Sequence, residues 1–356
     1  MQMRWLTRIA PVGALAAAVL AGGCGESSSG PPTVDASAMA TAVSSLNAAF
    51  SQNAVFQSLS ALDGSGALAA VVVRAAMPLQ VLPGASAVAT AERSRLALSR
   101  LAARAPTAVA ALFPANVLGK TFQWDTTSPA GYRITDSSAT GAPSNGVRFL
   151  LYHVDTLTGA PSLPLTTTGY VDLADASTPQ ANVVHVLLKV NTLTAANYSV
   201  AEVVTTSSLS LTSTGYVANV VSGGPQINFD LSHALSLADS SLSTNYQAGG
   251  GGLNVSLVST VSGVDSSLTM NWTASKNGTI QMVGSSRPSA VNLQFKFNNS
   301  TVATVGGTQA APTITPGSGQ TLTATDLIAL GVIVGNFYQI YTNLSLVFVP
   351  GLLVFG

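Results

Sequence analysis

From about residue 120 onward the chain alternates apolar and polar residues with a period of two. Ile227, Phe229, Leu231, His233, Leu235 and Leu237 alternate with Asn228, Asp230, Ser232, Ala234 and Ser236. Leu268, Met270 and Trp272 alternate with Thr269, Asn271 and Thr273, and Val291, Leu293, Phe295 and Phe297 with Asn292, Gln294, Lys296 and Asn298. Strands with one apolar and one polar face belong to an antiparallel sheet wetted on one side. Turn signals punctuate the pattern at Ser222 to Pro225, Gly249 to Gly252, Ser262-Gly263, Asn277-Gly278 and Asn299-Ser300. Links this short favour an up-and-down meander, because a parallel crossover needs a dozen or more residues. About a dozen strands are expected, and a twisted sheet of that size curls into a half-barrel or barrel.

Two helical patterns flank this region. Residues 35–118 are Ala-rich, and Met39, Val43, Leu46 and Phe50 recur at helical spacing after Asp35, a suitable N-cap. Gly64-Ser65-Gly66 and Pro83-Gly84 divide the segment into about three helices. The last of these carries Arg93, Arg95, Arg100 and Arg104, which do not share one stripe and read as a solvated face. At the other end, Thr323 and Asp326 have capping-box spacing, with Asp in place of the usual Glu. No charged residue follows Asp326, and Leu327, Leu330, Val334, Phe337 and Tyr341 mark one helix face while Ile328, Val332, Ile333, Ile340 and Leu344 make the others apolar. A helix apolar all round must be surrounded, by the sheet, a bilayer or another subunit. The sheet is favoured, because Asn336, Gln339 and Asn343 need partners that hydroxyls supply and lipid tails do not. Flanking Lys or Arg anchors for a membrane span are also missing.

The expected class is therefore α+β, dominated by β, with N-terminal helices, a curled antiparallel meander and an apolar C-terminal helix on its concave face. The expected boundaries are a signal at 1–23, a flexible tether at 24–34, the helical segment at 35–118, the sheet at 119–320 and the C-terminal helix with its tail at 321–356.

The first residues give an address. Arg4 and Arg8 precede an apolar run from Ile9 to Leu20, and Leu20-Ala21-Gly22-Gly23-Cys24 closes it with small residues. This resembles the lipobox of bacterial lipoproteins, in which the cysteine after the cleavage site is acylated. It departs from the commonest form in placing Leu20 four residues before the cysteine. The single cysteine of the chain falls where that processing needs it. The resemblance implies acylation at Cys24 and a membrane held through the acyl chains. Gly25 in place of Asp implies the outer membrane as the localisation within the cell envelope.

Composition narrows the rest. The 356 residues include 14 basic and 14 acidic side chains, so the basic excess of a nucleic-acid binder is missing. One cysteine supports neither a disulfide framework nor a thiolate metal site. With 47% hydrophobic residues the chain is globular rather than disordered. An aromatic content of 6% without two girdles argues against a transmembrane barrel.

The search for catalytic motifs finds no nucleophile elbow, Walker loop or zinc-protease helix. His153 and Asp155 share a strand face and form a local base–carboxylate pair, read as a surface strand end. His233 shares the apolar face with Phe229 and Leu231 and reads as a core histidine satisfied by a hydroxyl. His185 lies with Lys189 on the face opposite Val184, Val186 and Leu188. Trp124 and Trp272 read as packing residues, and Gly249 to Gly252 as a hairpin turn rather than a phosphate loop.

The stretch Gly141-Ala-Pro-Ser-Asn-Gly-Val-Arg-Phe-Leu-Leu-Tyr152 resembles one shared by a set of uncharacterised bacterial lipoproteins. Gly169 to Asp175 and Thr325 to Gly331 are similar to two further stretches of that set. The resemblance implies membership and no activity, ligand or cofactor. In architecture alone, a curved sheet holding apolar helices is similar to the periplasmic carriers of lipids and lipoproteins. Two functions are thus expected. The first is a non-enzymatic structural or interaction role for a lipid-anchored envelope protein. The alternative is a carrier or sensor of an apolar ligand lined by Phe229, Leu231, Met270, Phe295, Phe297, Phe337 and Tyr341.

Overall fold

The computed structural model describes residues 36–51, 53, 55, 56, 59, 111–127, 131–134, 140–153, 161–220, 223–262, 267–276, 278–287, 289–308, 311–317 and 321–355. Just over half of the chain is strand. Helix α1 (Ala36–Ser51) comes first, followed by β1 (Lys120–Trp124), β2 (Tyr132–Arg133), β3 (Gly146–Tyr152), β4 (Thr167–Asp175) and β5 (Asn182–Val190). Next are β6 (Leu193–Val204), β7 (Ser208–Ala218), β8 (Gln226–Ser236), β9 (Leu242–Gly250) and β10 (Leu253–Val261). The sheet continues with β11 (Leu268–Ser275), β12 (Thr279–Arg287), β13 (Ala290–Phe297), β14 (Ser300–Gly307) and β15 (Pro312–Pro316). Helix α2 (Ala324–Ser345), a 3-10 turn (Leu346–Phe348) and α3 (Val349–Phe355) close the chain.

All fifteen strands form one sheet, and from β3 to β15 each strand pairs antiparallel with its sequence neighbour. The exception is β1, which pairs parallel with β3 and makes the sheet mixed. The strand order ends at β15 and β2, so the sheet is open, and of the expected half-barrel or barrel the closed form is not seen. Two features blunt the edges. Strand β2 has only two residues, and β15 begins and ends in proline, which cannot donate to a further ladder.

Hairpins set the register. Gly251 and Gly252 both have positive φ between β9 and β10, as a type I′ turn requires, and Asn298 and Asn299 do the same between β13 and β14. With the register fixed, alternation decides the faces. Ile227, Phe229, Leu231, His233 and Leu235 of β8 are buried, whereas Asn228, Asp230 and Ala234 are exposed. Gly215 has φ +150°, and a side chain there would run into Tyr198 across the strand pair. The space it leaves lets Tyr198 meet Phe229 edge-on, at 5.6 Å between ring centres.

The apolar face is covered by the C-terminal helices, which bring α1 with them. Met39, Val43, Leu46 and Phe50 of α1 are fully buried. The capping box is present: Thr323 N donates to Asp326 Oδ2 at 2.7 Å, and Asp326 N donates to Thr323 Oγ1 at 3.2 Å. Leu330, Ile333, Phe337, Ile340, Tyr341 and Leu344 of α2 are buried. The helix tightens into a 3-10 turn before Pro350, whose ring and missing N–H forbid a continuous α-helix there.

The polar groups of α2 find partners other than those expected. Asn47 Nδ2 donates to Gln339 Oε1 at 2.6 Å and to Asn336 Oδ1 at 3.1 Å, and Asn336 Nδ2 donates to Ser44 Oγ at 3.0 Å. Thus α1, and not the sheet hydroxyls, satisfies Asn336 and Gln339, while Asn343 Nδ2 is buried without a partner. The side of α2 that faces neither α1 nor the sheet remains open to solvent.

Candidate functional site

Two constructions hold the unusual chemistry of the described residues: a polar row inside the apolar face, and the hairpin formed by two of the three sequence stretches singled out above.

The polar row runs across six strands. Register places Asn182 of β5 opposite Glu202 of β6, Glu202 opposite Leu211, Leu211 opposite His233, His233 opposite Thr244, and Thr244 opposite Ser259. All of these lie on the covered side of the sheet. Glu202 is only 3% exposed and accepts one hydrogen bond, from Asn182 Nδ2 at 2.9 Å. Burial raises its carboxyl pKa, and the Asn182 bond offsets part of that shift. His233 is sealed by Phe348, whose ring centre is 4.9 Å away, and by Tyr246 at 5.3 Å.

Hydrogen bonds tie this row to the helices. His233 Nδ1 lies 3.1 Å from Thr244 Oγ1, and its Nε2 lies 2.6 Å from the Tyr246 hydroxyl. The same hydroxyl is 3.1 Å from Ser345 Oγ, which donates to the Tyr341 carbonyl at 2.8 Å. The proton of Ser345 is thereby used, so Tyr246 must donate to Ser345 and accept from His233 Nε2–H. Thr244 then donates to Nδ1, and a single neutral tautomer satisfies the whole chain. Desolvation lowers the His233 pKa to about 3, which keeps the ring neutral at ordinary pH. His233 is thus the hydroxyl-satisfied core histidine read from parity.

Beside this chain the rings of Tyr246, Tyr341 and Trp272 stack at 5.2 and 5.6 Å with interplanar angles below 20°. Tyr341 Oη lies near Thr244 and Tyr246 but makes no hydrogen bond of good geometry, and Trp272 Nε1 is also unpaired.

The residues expected to line an apolar ligand divide between these rows. Phe337 and Tyr341 pack on Trp272, at 6.2 and 5.6 Å. Leu231 and Phe295 belong to the row of Tyr246, Leu257, Trp272 and Met282. Met270 continues the polar row, while Phe229 meets Tyr198 further along. All six are buried by the chain itself, and Phe297, beside Gly278, is half-buried.

The second construction joins the first two of the three stretches of the lipoprotein resemblance. Gly146 to Tyr152 is β3 and Thr167 to Asp175 is β4, and the two pair so that Arg148 faces Asp172. Arg148 Nε donates to Asp172 Oδ1 at 2.6 Å and Nη2 to Oδ2 at 2.8 Å, a bidentate fork. Its guanidinium lies 3.6 Å from the centre of the Tyr170 ring. Asn145 Nδ2 donates to the Asp175 carbonyl, and Asp175 Oδ2 accepts from Leu112 N at 3.3 Å, drawing the segment before β1 onto the hairpin. Gly146 has no room for a side chain, because a Cβ would strike the Leu173 carbonyl oxygen. These residues lock a hairpin and spend their charges on each other.

Of the remaining candidates, His153 is exposed at the end of β3, and Asp155 lies outside the described residues. His185 Nε2 sits 2.7 Å from Asn197 Oδ1 on the outer face. Trp124 packs edge-on against Tyr132 at 5.5 Å. Cys24 and the arginines from Arg93 to Arg104 lie outside the described residues. Among the described residues no group of three or more His, Cys, Asp or Glu side chains could hold a metal ion.

Glu202 belongs to no motif and was missed in the sequence. Its parity with Tyr198 and Val200 along β6 carried the signal, since a carboxylate in phase with buried residues is out of place. No family model, curated protein or solved structure matches the chain.

Proposed function

We propose that this is a lipid-anchored protein of the cell envelope, held at the outer membrane through Cys24, with a non-enzymatic structural or interaction role. The observation that carries the reading is the outer face of the sheet. There Gln247 bridges Asn245 and Ser256 at 2.8 and 2.9 Å, Gln281 donates to Asn271 at 3.0 Å, and Gln226 donates to Asn228 at 2.7 Å. Ser243 and Thr260 lie 3.3 Å apart in the same array. Such a surface offers many neutral donors and acceptors, already ordered against one another, to a partner rich in hydroxyls or amides. We read the sheet as curled into an open half-barrel with α2 on the concave side, so that this array forms the convex wall.

The alternative, a carrier of an apolar ligand between sheet and α2, draws support from the unpaired Trp272 Nε1 and Tyr341 Oη in that layer. It requires α2 to lift, because six of the seven proposed lining residues are buried by the chain itself.

A photo-crosslinking residue at Asn271 or Gln247, in the intact protein in its own envelope, should capture a partner, and one at the buried Leu257 should not. Capture from neither outer position, with fatty-acid labelling of Cys24 intact, would remove the interaction reading. An extractable lipid bound to protein whose Cys24 has been replaced by Ser would favour the carrier.

A further inference from the structure

The solvent side of α2 carries an uncharged stripe. Ile328 is 55% exposed and Val332 is 42% exposed, one turn apart, whereas Leu330, Ile333, Phe337 and Ile340 of the same helix are buried. Gly331 and Gly335 are exposed beside them, with nothing beyond the helix's own backbone within 4 Å of where their side chains would begin. From Leu327 to Gly356 the chain has no charge that would have to be dehydrated. The helix is long and apolar enough to cross a membrane, yet half of its apolar window is buried inside the protein. That leaves one face, and not the whole helix, for another phase.

The position of α1 says which phase reaches it. Ser44 pairs with Asn336 and Asn47 with Gln339, and both pairs are 292 residues apart in sequence. A step of one turn along α1 therefore matches a step of one turn along α2. The two helices run in the same direction, and the same offset places Ala36, the first residue of α1, level with Ile328. Only about a dozen residues separate Cys24 from Ala36, a reach of at most about 40 Å. An acyl group on Cys24 would thus enter the bilayer within about 40 Å of the Ile328 end of α2, on the side of the molecule where α1 begins.

We infer that the Ile328–Val332 face of α2 rests on the lipid surface to which the N-terminus is tied, as a second, shallow membrane contact. This rests on the lipid-anchor reading of Cys24. An interfacial helix seats its apolar face at the boundary of headgroups and acyl chains, and stable anchoring commonly combines two such signals. The stripe is too narrow to hold the protein alone. Its effect is orientational: it fixes which side of the sheet turns towards the bilayer.

The test uses the full chain, acylated in cells and reconstituted into phosphatidylethanolamine–phosphatidylglycerol vesicles containing a doxyl-labelled lipid. Acylation blocks Cys24, so Val332→Cys supplies one free thiol for a fluorophore, and Thr260→Cys on the outer face of β10 supplies the control. The expected result is quenching of the fluorophore at position 332, roughly tenfold stronger than at position 260, with Ile328→Asp abolishing the difference. Equal, weak quenching at both positions, in protein that incorporates labelled fatty acid at Cys24, overturns the contact and leaves the anchor standing. Absence of fatty-acid labelling overturns the anchor and, with it, the contact. Concentration-dependent excimer formation by pyrene at position 332 without vesicles identifies a second copy as the occupant and overturns the lipid assignment.

Discussion

The two faces of strands β8 to β12 are built from the same alternation and differ in almost everything else. Inside, side chains interlock in rows that cross the sheet, such as Leu231, Tyr246, Leu257, Trp272 and Met282. Outside, Asn, Gln, Ser and Thr pair only with near neighbours and face solvent. A row on the inside is a shared object, and each member fixes the space of the next. The outer positions are nearly independent. Period two announces both faces equally, and only packing separates their energetic weight.

The largest expected contrast lies between Trp272 and its neighbour Thr273. Trp272→Ala should cost about 3–5 kcal/mol in denaturant unfolding, since it removes the ring against which Phe337, Tyr338 and Tyr341 pack. Thr273→Ala, one residue away on the other face, should stay within about 0.5 kcal/mol. Similar losses for both would erase the distinction between the faces.

His233 sharpens the comparison through pH. Its pKa rises from about 3 in the folded chain to the ordinary 6.5 on unfolding, so the unfolded state binds the extra proton between these values. Stability contributed by the neutral ring is complete above pH 6.5 and is lost as the pH falls towards 3, by a few kcal/mol, roughly. His233→Phe should flatten that part of the profile, measured as the unfolding midpoint against pH. It should also cost about 1–2 kcal/mol at pH 7, because Thr244 and Tyr246 lose a partner.

Glu202 gives the opposite sign. Its raised carboxyl pKa means that the folded state holds the proton more tightly, so stability falls as the pH rises through the interval between the unfolded and folded values. Glu202→Gln keeps an acceptor for Asn182 and removes the charge. It should stabilise the protein at pH 7 by about 1 kcal/mol and abolish that decline. Unchanged stability in this variant would mean that the carboxylate is better solvated than its burial implies. The smallest effect is expected from Asn271→Ser on the outer face, within about 0.5 kcal/mol, although the Gln281 contact is lost.

The sequence made much of this visible, and the limit is physical. Parity alone placed His233 inside and Asp230 outside, helical spacing found the buried side of α1, and Thr323 with Asp326 marked the start of α2. Each signal is local, spanning a few residues. The polar row was not legible, because Asn182, Glu202, His233 and Ser259 meet only when five hairpin registers are fixed together. The pairing of α1 with α2 was hidden for a similar reason. Asn336 and Gln339 announced a need for partners, yet a need does not say whether a sheet or a helix meets it. The parallel pairing of β1 with β3 and the open edges depend on which strands come last to the sheet, and alternation is silent about that. Of the candidate lining, the sequence assigned the correct face to every residue from Phe229 to Phe297; it could not show that the layer above them is filled.

One feature of the topology governs how the chain comes to be folded. From β3 to β15 each strand pairs with the one synthesised just before it, so the sheet can grow hairpin by hairpin, by short loop closures, as the chain emerges. Its cover cannot. Helix α2 follows all fifteen strands in sequence, and α1, which precedes them, meets it only across 292 residues. Until the final turn arrives, the sheet presents Trp272, Tyr246 and Leu231 bare to its surroundings, in a state prone to sticking. Without the segment after residue 324 both α1 and the sheet would be left uncovered, so the pairing of the two helices makes sheet and cover one cooperative unit.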